Sequence, residues 1–166
     1  MQVRRLTAGD AAQWRTIRLD ALEAFPDAFL TTYAEAAAVP LDRTATWLER
    51  GQSFGVFVSG TLVATGSLAR ENRRQTRHRG SIGPFFVKPG SQGQGFADPL
   101  MEAMIAAAQA AGMWQLELQV AASNTRAIRF YQRHGFEACG RIPNATVLDG
   151  VHETDLLLIR SDPPGA

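Results

Sequence analysis

This chain of 166 residues has one cysteine, Cys139, and one lysine, Lys88. A lone cysteine excludes an internal disulfide and a cysteine-rich metal site. Cys139 reads as a small packed residue rather than a nucleophile. Basic charge is almost all arginine, and the formal net charge is only +1. Nothing in that balance draws the whole chain to nucleic acid or a membrane. No apolar run reaches transmembrane length. Arg4 and Arg5 are not followed by the apolar core of a signal peptide. The expectation is a soluble, cytoplasmic protein without a metal. Repeats and linkers are also lacking. Hydrophobic residues make up 45% of the chain, enough for one domain over residues 1–160, with 161–166 as a frayed tail.

What is present begins with residues 85–97, Phe-Phe-Val-Lys-Pro-Gly-Ser-Gln-Gly-Gln-Gly-Phe-Ala. The order is apolar strand, glycine-punctuated loop, helix start. Glycines allow positive φ and close approach of a ligand. A helix start offers unpaired N–H groups and the positive end of a dipole. Phosphates bind such places. A P-loop would need Lys and Ser or Thr after its last glycine, but Gly95 precedes Phe96 and Ala97. A dinucleotide fingerprint would need a third glycine where Asp98 stands.

The loop resembles the Gln/Arg-x-x-Gly-x-Gly/Ala signature of the GCN5-related N-acetyltransferases, with Gln92, Gly95 and Ala97 in the matching positions. Asn124, Ala127, Tyr131, Gly135 and Phe136 are similar to that family's Asn-x-x-Ala-x-x-x-Tyr-x-x-x-Gly-Phe segment. A weaker likeness covers 18–22 and 26–29. Together they span roughly residues 3–160.

The resemblance implies a single α/β domain. Its mixed, mostly antiparallel sheet would splay between the strands before Pro89 and after Trp114. It implies acetyl-CoA as co-substrate and direct transfer of the acetyl group to a primary amine in a ternary complex. The loop amides of Gln92, Gly93, Gln94, Gly95, Phe96 and Ala97 would hold the pyrophosphate. Phe85, Phe86, Val87 and Asn124 would hold the pantetheine arm. The partner is a small-molecule or peptide amine, not nucleic acid or membrane, and a homodimer stays open. A non-catalytic acyl-CoA-binding module is the alternative.

Periodicity places a strand over 2–6, helices over 11–25, 28–38 and 42–48, and a hairpin over 55–68 turning at Ser59-Gly60. A basic loop follows over 70–79. Then come a strand over 80–87, a helix over 96–110, a strand over 114–120, a helix over 125–133, and strands over 136–142 and 151–159. Gly83-Pro84 inside a strand predicts a bulge or an edge, since proline cannot donate to a ladder.

The chemistry needs a neutral amine, a polarised carbonyl and a protonated thiol. Tyr131 is the family-type acid, or else a packing residue; its reference pKa is about 10. Asn124 also suits a helix cap. The central strand carries no carboxylate, so the base falls among His78, Glu117, Glu71, Asp155 and a relayed water. His134 and His152 read as structural. Asp98 either repels the pyrophosphate or caps a helix that starts late. The irregular N-terminal helices, the loop over 70–79 and the last hairpin are expected to form the acceptor pocket. Arg73, Arg74 and Arg77 would then read a carboxylate on the acceptor.

Overall fold

The computed structural model describes residues 1–26 and 29–163. The fold is mixed α/β, mostly antiparallel and flanked by helices, as expected. By contacts the chain divides into two compact units, Met1–Ala69 with Gly83–Ala107, and Arg70–Ile82 with the residues from Ala108 onward.

In the first unit, β1 (Gln2–Arg5), β2 (Ser53–Val58), β3 (Thr61–Arg70) and β5 (Phe86–Val87) pair antiparallel in that order. The β2–β3 turn is Ser59-Gly60, both with positive φ, which matches the twist of the strands it joins. Helices α1 (Ala11–Ala24), α2 (Tyr33–Ala38) and α3 (Leu41–Leu48) connect β1 to β2. Ile17 and Ala21 of α1 meet Leu48, Phe57, Leu62 and Phe86 in one apolar cluster. A Thr7/Asp10 capping box opens the entry to α1. Helix α2 is shorter than its expected span. Thr32 caps it by accepting from the Glu35 N–H, and Glu35 reaches back to the Thr32 N–H. The Thr-x-x-Glu spacing carried that signal. The expected start at Ala28 lies outside the described residues.

The expected strand over 80–87 is two pieces, β4 (Arg79–Ile82) and β5. Proline is the reason. Continuing the β3–β5 register would bring the Ser67 carbonyl to the N–H of residue 84, and Pro84 has none. Gly83 donates to that carbonyl instead, at 2.9 Å. The one-residue slip is the predicted bulge. Helix α4 (Ala97–Ala110) follows β5 and buries Leu100, Met101, Met104 and Ile105.

In the second unit, β4 pairs parallel with β6 (Gln115–Ala121), β6 antiparallel with β8 (Val151–Ser161), and β8 antiparallel with β7 (Glu137–Leu148). Helix α5 (Thr125–Arg133) lies between β6 and β7 in sequence. β7 runs beyond its expected end because Pro143-Asn144 is absorbed as an irregularity, with Asn144 at φ 53, and not as a turn. Cys139 sits at another such irregularity and is exposed, so the expected packed residue is a surface one. Ser161 still pairs with Gln115. The rest of the expected frayed tail, from residue 164, lies outside the described residues.

Candidate functional site

Partner strand and turn decide what β5 can offer. Lys88 donates to Val63 O at 2.9 Å, so Phe86 and Lys88 turn their backbone groups toward β3. Val87, between them, turns its own to the opposite edge. Its carbonyl accepts from Gln92 Nε2 at 3.1 Å, which folds the following loop back on the strand end. The Phe86 ring points into the core beside Phe25 and Phe29. The Phe85 ring lies next to Gly66.

After one helical turn at Pro89–Ser91, Gly93 and Gly95 take φ of 76° and 82°. Added side chains there would meet no neighbour, so glycine is required by backbone conformation and the space beside it is open. Among the described residues, no acceptor takes the N–H groups of Gly93, Gln94, Gly95, Phe96 or Ala97. Successive amides of this kind form an anion nest. Helix α4 begins at Ala97, so the late start that Asp98 could have imposed is not seen. Asp98 occupies the first turn with Pro99, which has no N–H to give.

The second strand-to-helix junction lies in the other unit. Asn124 follows β6 and caps α5, its Oδ1 accepting from the Ala127 N–H at 3.0 Å. Its NH₂ remains a donor. Tyr131 lies two residues before the end of α5, with ring centroids 5.4 Å from Phe130 and 5.9 Å from Phe136. Burial pushes its hydroxyl up to about 12. The group is therefore a proton donor throughout the working range.

The proposed bases sit differently. Gln115, Glu117, Gln119 and Ala121 share one face of β6, opposite the buried Leu116, Leu118 and Val120. Both Glu117 oxygens accept from Arg79, and Gln115 Nε2 adds a bond at 2.9 Å. The Arg79 hydrogen bonds hold this carboxyl below its ordinary range, which weakens it as a base. His78 stacks on Trp114 with centroids 4.2 Å apart. It precedes β4 and β6, while Asn124 follows β6, so strand rise sets the two roughly 20 Å apart. Asp155 faces Ala121 across the β6–β8 ladder, at the Asn124 end. Burial, then the neighbouring Glu153, raise its carboxyl above the usual range. His134 ends α5 and gives its carbonyl to Arg160, and His152 Nδ1 meets Asn144 Oδ1 at 3.0 Å. Both histidines serve local structure.

Residues 14–136 match a family model described as acetyltransferase (GNAT) family. A search of curated proteins finds no significant match. Among solved structures, a GNAT-family acetyltransferase from Streptococcus pneumoniae aligns with a TM-score of 0.85 at 20% identity, covering 97% of this chain and 99% of its own. The Salmonella typhimurium protein yncA, solved with its cofactor acetyl-CoA, aligns at 0.85 and 20% identity, covering 100% and 96%. A ribosomal-protein-alanine N-acetyltransferase from Brucella melitensis aligns at 0.81 and 21% identity, covering 98% and 100%. At these identities the likeness is one of fold.

Proposed function

Because the chain belongs to the GNAT acetyltransferase family, whose co-substrate is acetyl-CoA, we propose that it moves the acetyl group directly to a primary amine in a ternary complex. Residues 1–160 would act as one catalytic domain. The observation that carries this reading is the run of five N–H groups from Gly93 to Ala97 with no acceptor among the described residues, shortly after a strand whose last residue faces away from its partner. These amides suit the pyrophosphate, with Gln92 holding the loop to Val87. The outward N–H of Val87 suits a pantetheine arm that lies along β5 as another strand would, while its carbonyl is shared with Gln92. Asn124 keeps its NH₂ for the same arm.

The amine lone pair forms the C–N bond at the thioester carbonyl, and the C–S bond breaks. The amine gives up one proton and the leaving sulfur gains one. Tyr131 supplies the second. With a hydroxyl near 12 against about 8.5 for a thiol in water, it first stabilises the sulfur as a hydrogen-bond donor. Taking the thiolate out of water raises the thiol as well, which narrows that gap. We assign the amine proton to Asp155, the candidate carboxylate whose surroundings make it more basic. Glu117 then acts as a strut between β4 and β6.

An amine panel with mass detection of products, run beside calorimetric titration of acetyl-CoA, tests the reading. Acetylated product and micromolar cofactor binding support it. Binding without product from any amine would leave an acyl-CoA-binding module. The pH profile of kcat/KM tests the base. Asp155→Asn should remove the acidic limb, and loss of that limb in His78→Gln or Glu117→Gln instead would move the role there.

A further inference from the structure

Two adjoining cavities in the first unit, of about 210 and 20 Å³, share Trp14, Arg18, Trp47 and Pro84 in their walls. The indoles of Trp14 and Trp47 stand 4.9 Å apart, inclined by 53°. Phe86 lines the smaller cavity, so the cleft reaches the strand whose outer edge is assigned to the cofactor.

Arg18 is the charged group that both cavities share. Its guanidinium lies over the Phe29 ring at 4.6 Å, and burial holds its pKa below the ordinary arginine value. Among the described residues no carboxylate pairs with it. The neighbouring ions are committed elsewhere: Arg15 donates to the Ala37 carbonyl, and Asp20 pairs with Lys88 at 3.3 Å. A partly desolvated cation with aromatic walls, and with no counter-charge among the described residues, is costly to hold. A second unsatisfied group lies deeper. Ser53 Oγ is buried without a hydrogen-bond partner and lines the smaller cavity, which is large enough for about one water.

We propose that this cleft is the acceptor pocket and takes a small primary amine that also carries a carboxylate, in the manner of an amino acid with an apolar side chain. Arg18 clamps the carboxylate through its planar fork. Trp14 and Trp47 enclose the apolar side chain. Pro84 and Phe86 direct the amine toward β5. The reading moves carboxylate recognition from Arg73, Arg74 and Arg77, which are exposed to solvent, to a guanidinium already partly withdrawn from it. For the fate of the amine it rests on the acetyl-transfer reading; for binding it does not.

The test uses L-leucine and 3-methylbutylamine, which differ only by the carboxylate, in ligand-observed NMR titrations and in acetylation assays. The parent should bind leucine at least about tenfold tighter than the amine. Arg18→Gln should weaken leucine by at least that factor and leave the amine within about twofold. Arg18→Lys should restore part of the preference, because the charge returns without the fork. Equal affinity for the two probes in the parent, or equal loss of both in Arg18→Gln, overturns the proposal. A preference for leucine with no acetylation of any amine would uphold the pocket and sink the transfer reading. Turnover without the preference would do the reverse.

Discussion

Two strand-to-helix junctions of this protein solve one problem in opposite ways. Every helix start leaves N–H groups without intrahelical acceptors. At the β6–α5 junction Asn124 answers from within, its side chain accepting from Ala127. At the β5–α4 junction nothing within the described residues answers, and five successive amides stay open. Asparagine closes a helix start; glycines at 93 and 95 shape one without closing it. The first kind of junction is stable by itself, whereas the second becomes satisfied when an anion arrives. A third junction, before α1, sharpens the contrast. Asp10 accepts from the Thr7 N–H at 2.8 Å and binds Arg4 at 2.7 and 2.8 Å, so here a carboxylate of the protein fastens the entry to the helix and is itself charge-paired.

The largest expected effect comes from closing the open junction. Gly95→Glu strains a backbone at φ 82 and sets a negative charge in the nest. Calorimetry should then show no binding of acetyl-CoA, with the melting temperature within a few degrees of the parent. Unchanged affinity would mean that the open amides are not the cofactor site.

The other junction should answer in rate instead of binding. Tyr131→Phe keeps the ring contacts with Phe130 and Phe136 and removes the donor. A loss of about 10² to 10⁴ in kcat is expected, with cofactor affinity nearly unchanged. If kcat stays within a few-fold, Tyr131 is a packing residue and water protonates the sulfur.

Removing the internal closure should cost stability. Asn124→Ala leaves the Ala127 N–H unpaired and should destabilise the fold by about 1 kcal/mol, read by urea unfolding. The same substitution at Gln94, whose side chain donates to Gly90 O at 2.9 Å in the open loop, should be nearly neutral. Equal costs at both positions would erase the distinction between the junctions.

The smallest effect is a pH effect at the carboxylate-closed junction. The Arg4 hydrogen bond, ahead of the Thr7 contacts, lowers the Asp10 carboxyl to about 2. A folded pKa below the unfolded one stabilises above the unfolded value and is lost as pH falls through the folded value. Because solvent screens the half-exposed Arg4 partner, at most about 1 kcal/mol should therefore disappear between about pH 4 and pH 2. Asp10→Asn should be less stable than the parent at pH 6 and close the gap as the pH falls through 2. A constant difference across that range would show that Asp10 acts by shape alone.

Much of this was legible in the residue order. Gly93-x-Gly95 after an apolar strand names an open loop, Asn124 before a helix names a cap, and Gly83-Pro84 names a break in a ladder. Each depends on neighbours a few positions away, so local sterics and donor counting suffice. The capping box at Thr32 and Glu35 was equally local, and its spacing marks the true start of α2. The base was not legible. Glu117, Asp155 and His78 read alike as polar residues on or beside strands. Register alone brings Arg79 to both oxygens of Glu117, stacks His78 on Trp114 and sets Asp155 opposite Ala121.

Arg18 marks the same boundary most sharply. Within the sequence it is one arginine among many on a helix. Only packing sets its guanidinium over Phe29, in a cavity it lines with Trp14 and Trp47 and where no carboxylate among the described residues pairs with it. By itself the sequence determined the order of elements, the open glycine loop and the family, because those follow from backbone conformations each residue permits over short range. The tertiary structure decided which carboxylate is tied, which is raised and which cation is drawn out of water against an aromatic ring. Those properties depend on burial and on partners 22 to 49 positions away, in contacts such as Arg15 with Ala37, Arg79 with Glu117 and Gln13 with Leu62, and long-range contacts of that kind exist only once the chain has folded.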